Sequence, residues 1–90
     1  MYRDRKQPIK TQAIIKDIEF ALNLDDDQLN AESSSNDFQE WDSMGTINLI
    51  AFLEDKYDCK FDLLEMPLFN NVKAILEILK KKGLEIEFSE

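Results

Sequence analysis

The chain has 90 residues, 19 of them acidic and 11 basic, with no histidine and a formal net charge of -8. A chain this short buries roughly 60–70% of its unfolded surface, which is enough for one modest core but not for a substrate cleft as well. The charge repels nucleic acid and anionic membrane surfaces, and the missing histidine removes the commonest general base and metal ligand. Two glycines and two prolines are too few for the many turns of an all-β fold, so an all-α fold is expected. A single cysteine, Cys59, forms no internal disulfide and reads as a packed thiol in a reducing, cytoplasmic setting. No apolar run reaches the ~20 residues that cross a bilayer.

In chain order, residues 1–8 read as a flexible basic lead-in carrying Arg3, Arg5 and Lys6. No apolar stretch follows that would make them a signal peptide. The first periodic segment covers residues 9–22, where Ile14, Ile18, Ala21 and Leu22 fall on one helical face beside Ile15. Residues 23–42 have no period. A loop of this length marks function or a wrapping connection, and Leu24, Leu29, Phe38 and Trp41 suggest one pinned across a helical core. A second helix is predicted from Asp42 or Ser43 to Tyr57, with Met44, Ile47, Ile50, Leu53 and Tyr57 as its apolar stripe, widened by Leu49 and Phe52. Residues 62–66 predict one short helical turn closed by Pro67. A last helix starts near Asn70 or Asn71 and ends in Lys80, Lys81 and Lys82, where the helix dipole favours cations. Gly83 is placed to follow its end, and residues 84–90 form a short extended or frayed tail. The architecture is a small bundle of three main helices, one short helix and a long first loop, with 9–83 as the domain proper.

The strongest local signal is Trp41-Asp42-Ser43-Met44-Gly45. It sets a hydroxyl at a helix mouth, where free backbone N–H groups and the positive dipole end favour an attached phosphate. Gly45 reads as cleared space for the approach of a partner. On local chemistry alone, Ser43 or Asp42 is simply an N-cap. Self-contained nucleophilic catalysis is rejected, because nothing marks a base for Ser43 and no nucleophile-elbow pattern surrounds it. Asp25, Asp26 and Asp27 do not head a calcium loop. Counted from Asp25, the required positions hold Leu29, Asn30 and Asn36. Glu54, Asp55 and Asp58 offer a negative face to basic partners.

The stretch Trp41-Asp42-Ser43-Met44-Gly45-Thr46-Ile47-Asn48-Leu49-Ile50 resembles the Asp-Ser-Leu signature of the acyl carrier proteins and the helix behind it. Leu53-Glu54-Asp55-Lys56-Tyr57 resembles that family's Leu-Glu-Glu-x-Phe continuation, and residues 61–83 are similar to its short third and its last helix. The likeness covers residues 9–83. It implies an acyl-carrier-like four-helix bundle in which a phosphopantetheinyl transferase, using magnesium, moves 4′-phosphopantetheine from coenzyme A to Ser43. The arm's thiol then holds an acyl or aminoacyl group as a thioester. A loading enzyme and a downstream acyl transferase or synthase of fatty-acid or polyketide type are the implied partners. By the same resemblance Asp42 and Met44 flank the arm, and Ile47, Asn48, Glu54 and Asp55 face partner enzymes. The chain would be a monomeric carrier and not an enzyme. Gly45 and Asn48 stand where many fatty-acid carriers have acidic recognition residues. Asp42-Ser43-Met44-Gly45-Thr46 also resembles D-alanyl carrier proteins, whereas the Gly-Gly-x-Ser of peptidyl carriers is replaced by Gln39-Glu40-Trp41-Asp42. A specialised free-standing carrier is the reading that results; the alternative is an unmodified acidic interaction module of the same fold.

Overall fold

The computed structural model describes residues 8–87, so most of the basic lead-in and the last three residues of the tail lie outside it. Three helices carry the fold: α1 (Thr11–Leu22), α2 (Ser43–Tyr57) and α3 (Val72–Lys81). Each begins and ends for a local reason. The carboxylate of Asp42 accepts from Gly45 N–H at the start of α2, and the amide oxygen of Asn71 accepts from Ala74 N–H at the start of α3. Asn23 and Asp58 take left-handed backbone angles, φ 63° and 52°, to end α1 and α2. Gly83, at φ 102°, turns the chain after α3, where a side chain would be strained.

The three helices enclose one core. Ile14, Ile18 and Leu22 come from α1, Leu49, Ile50 and Leu53 from α2, and Val72, Ile75, Leu76 and Leu79 from α3. Each such side chain contributes about 1.5–3 kcal/mol on burial. Leu29, Trp41 and Phe69 complete the core from the connections, so the long loop is pinned as its apolar residues predict.

Residues 23–42 are bound along their length. Leu29 N–H donates to Glu19 Oε2 at 2.9 Å, and Lys16 Nζ lies 3.2 Å from Asp27 Oδ1. Ser35 N–H donates to Asn70 O at 2.8 Å, and Val72 N–H donates to Ser33 O at 3.1 Å, which zips the loop to the start of α3. A capping box between Ser34 and Asp37 opens a 3-10 turn at Ser35–Asp37.

Three details differ from the sequence expectations. Residues 9 and 10 are not helical. They form β1 (Ile9–Lys10), which pairs in parallel with β2 (Ile86–Glu87), Ile9 opposite Ile86, so the tail takes the extended form. The short element after α2 is a 3-10 turn at Met66–Leu68 rather than a helical turn over 62–66. Pro67 sits inside it, since a first-turn position has no intrahelical N–H bond to lose. Finally, Met44 and Ile47, read as part of the core stripe of α2, are exposed, and Gly45 and Leu49 occupy the inward face. Apolar residues surround more than one side of this helix, so periodicity alone does not select the buried side.

Candidate functional site

The start of α2 is built by the connection before it. Trp41 is buried, and its indole N–H donates to Phe69 O at 3.1 Å, fixing the chain two residues ahead of Ser43. Asp42 then caps the helix, its side chain taking Gly45 N–H at 2.8 Å and its carbonyl taking Thr46 N–H at 2.8 Å. Ser43 follows as the first helical residue, exposed to solvent. Its own N–H and that of Met44 belong to the first turn, where helical geometry provides no internal acceptor.

Ser43 borders an open groove that also takes in Thr46 and Ile47 of α2, Leu63, and Met66, Pro67 and Phe69 around the 3-10 turn. On α2, residues 43, 44, 47, 48, 51 and 55 share one exposed strip. The strip therefore brings together the expected Ser43, Met44, Ile47, Asn48 and Asp55, with Asp42 at its head. Glu54 is placed differently. It is half-buried, and its Oε2 accepts from Phe61 N–H at 2.9 Å, bracing the turn after α2. Gly45 also departs from expectation. It is buried, and a Cβ there would stand well inside contact distance of the Glu40 carbonyl and 3.1 Å from Leu22 Cδ2. The glycine admits the protein's own loop, not a partner.

Sequence reasoning missed the far bank of the groove. Leu63, Leu64 and Leu68 are exposed on the connection between α2 and α3. A signal was present, since three leucines there belong to no helical face. The connection is held by Glu65, whose carboxylate accepts from Asp62 N–H at 2.8 Å and pairs with Lys82 at 3.0 Å. Those two interactions keep the Glu65 carboxyl below its ordinary range. Burial raises the Cys59 thiol above its usual value, as befits a packed cysteine away from the groove. Among the described residues no group of three or more acidic or cysteine side chains is arranged to hold a metal ion, and no helix is long and apolar enough to cross a membrane.

The fold and site thus make an acidic three-helix bundle with an exposed serine hydroxyl at a helix mouth, reached through a long pinned loop. No family model and no curated protein sequence matches the chain. Among solved structures it is similar to a holo acyl carrier protein from Geobacter metallireducens, determined by solution NMR, with 33% identity and a TM-score of 0.70. The match covers 80% of this chain and 83% of that one. The chain belongs to the acyl carrier protein family.

Proposed function

We propose that Ser43 is the attachment point of 4′-phosphopantetheine and that the chain carries an acyl or aminoacyl cargo between enzymes in the cytoplasm. The observation behind this reading is the exposed Ser43 hydroxyl at the first position of α2, next to Asp42 and at the edge of an open groove. The residues present fit the group. First-turn N–H groups and the positive end of the α2 dipole favour a phosphodiester on Ser43, and Asp42 turns one carboxylate oxygen inward to Gly45, away from bare repulsion. The neighbour of known structure is a holo carrier, which agrees with the same assignment. When bound, the group supplies a thiol at the end of a flexible arm, where cargo is held as a thioester.

The protein's own part is positional. Asp42 and the bond between Trp41 and Phe69 keep the helix start in register, and Met44 stands beside the arm's base. The partners this implies are a phosphopantetheinyl transferase, a loading enzyme and a receiving acyl transferase or synthase. Incubation with coenzyme A, magnesium and a broad-specificity transferase, followed by intact mass, tests the reading. One added phosphopantetheinyl group that maps to Ser43 and is absent from Ser43→Ala is the expected result. No mass change on folded protein with several transferases would refute it and leave the unmodified interaction module.

A further inference from the structure

Ser43 opens on a groove, and the groove has a floor. Of the residues that line it, Trp41 and Phe69 are the two that also belong to the core, at 2% and 1% exposed. They share one apolar cluster with Leu49, Ile50 and Leu53 of α2 and with Val72, Ile75 and Leu76 of α3. A group attached to Ser43 therefore meets the interior across these two aromatic side chains.

The floor is fastened from both sides. The indole N–H of Trp41 donates to Phe69 O at 3.1 Å, and the Trp41 backbone N–H donates to Phe38 O at 3.2 Å. Phe69 N–H donates to Met66 O at 3.1 Å, and its ring meets Phe61 edge-on with centroids 4.8 Å apart. The loop that carries Trp41 is zipped to the start of α3 through Ser35 with Asn70 and Ser33 with Val72. Lifting Trp41 aside breaks a buried hydrogen bond and pulls against this zipper.

Area decides whether cargo can displace it. A large aromatic side chain buries about 150–250 Å², whereas one alkyl carbon buries roughly 30 Å², the ratio of its transfer free energy to that of unit area. An acyl chain thus needs about five to eight alkyl carbons merely to replace the apolar burial of the indole. The lost bond to Phe69 raises that threshold.

Resting on the carrier reading, we infer that Trp41 and Phe69 determine cargo specificity by closing the core to whatever Ser43 carries. Cargo of up to about six carbons stays on the solvent side of the groove floor. The chain is then a carrier of short acyl or aminoacyl groups, held open to water rather than drawn into the interior.

The test places cargo of known length on Ser43 from acetyl-, butyryl- and hexanoyl-coenzyme A, with magnesium and a broad-specificity phosphopantetheinyl transferase. Intact mass checks the loading. Three quantities are then read: the thermal midpoint, the emission of Trp41, which is the one tryptophan of the chain, and the rate at which hydroxylamine cleaves the thioester. Each rate is taken relative to the same acyl group on coenzyme A. For the wild type the relative rates should agree within about twofold, because an unburied group gains no protection. Midpoint and emission should not vary with chain length, since nothing is added to the core. Trp41→Ala removes the floor, and Trp41→Leu removes less of it at smaller risk to the fold. In the folded variant the relative rate for hexanoyl should fall roughly fivefold below that for acetyl. Slow hexanoyl cleavage in the wild type, with a raised midpoint and shifted Trp41 emission, puts cargo inside the core and overturns the inference while leaving the carrier reading intact. Equal relative rates in a folded Trp41 variant overturn it too, since the floor is then not what keeps cargo out. If the wild type takes no group at Ser43 from any of these donors or from coenzyme A itself, the carrier reading fails.

Discussion

The indole N–H of Trp41 and the carbonyl of Phe69 meet at 3.1 Å in the buried interior, joining the loop that delivers Ser43 to the turn that delivers α3. Trp41→Phe removes the donor, strands the Phe69 carbonyl away from water and leaves part of the indole volume empty. A lost partner for a buried acceptor costs about 1–3 kcal/mol and the gap adds to it, so a total of about 2–4 kcal/mol is expected. Urea unfolding followed by circular dichroism measures it. A variant within 0.5 kcal/mol of wild type, on the order of an ordinary surface change, would mean that the loop is not held by this residue.

Asp17 supplies a second tie. Its carboxylate accepts from Lys56 Nζ at 2.7 Å and from the Tyr57 hydroxyl, so a residue of α1 grips the last turn of α2. Burial, then the hydrogen bond to Asp17, raises the Tyr57 phenol well above its ordinary value. The folded-state value thus exceeds the unfolded one. The contribution is whole below about pH 10, the unfolded tyrosine value, and is lost as pH rises from there toward the folded-state value. Tyr57→Phe should accordingly show a shallower loss of stability above about pH 10 than wild type. Lys16 and Lys82 shift in the same direction, through Asp27 and Glu65, so the informative quantity is the difference between the two proteins in alkaline urea melts. Parallel curves would show that the phenol does not titrate differently on folding.

Gly45 sets helix propensity against packing. Alanine is favoured over glycine in a helix interior by about 1 kcal/mol. Here the added methyl would collide with the Glu40 backbone carbonyl and crowd Leu22. Backbone cannot yield as a flexible side chain does, so overpacking of about 1–3 kcal/mol should prevail over propensity. Gly45→Ala should therefore lower the thermal midpoint and displace the Glu40–Ser43 segment, slowing modification of Ser43. A stabilised variant would show that the loop moves aside freely.

These residues show what a sequence can and cannot reveal. The position of Ser43 was legible because Asp42 is a capping residue followed by a helical period, and both signals are local. The burial of Trp41 and Leu29 was legible because isolated large apolar residues in a polar loop have few alternatives to the core. The role of Gly45 was not legible, since it depends on where the loop crosses α2, a contact set by the whole bundle. The same holds for Leu63 and Leu64. Their sequence neighbours, Asp62 and Glu65, suggest a short helix. Only the fold shows that the chain turns instead, leaving both leucines exposed and Leu63 at the groove beside Ser43. The pairing of β1 with β2 joins segments at opposite ends of the chain and has no local signature.

Glu19 provides the last prediction. It is a buried carboxylate on α1 whose Oε2 takes the Leu29 N–H at 2.9 Å, while its Oε1 is buried with no hydrogen-bond partner among the described residues and lies 3.9 Å from Lys16 Nζ. The anchored oxygen fastens the first loop to α1, and Leu29 enters the core because of it. Glu19→Ala leaves the buried Leu29 N–H without its acceptor, a loss of about 1–3 kcal/mol. Glu19→Gln retains an amide oxygen for the same N–H and should recover most of that stability. Hydrogen exchange separates the two roles: in Glu19→Ala the Leu29 amide should lose protection ahead of the helices, and in Glu19→Gln it should stay protected. Equal losses in both variants would show that the charge facing Lys16, not the bond to Leu29, is what the fold requires of this residue.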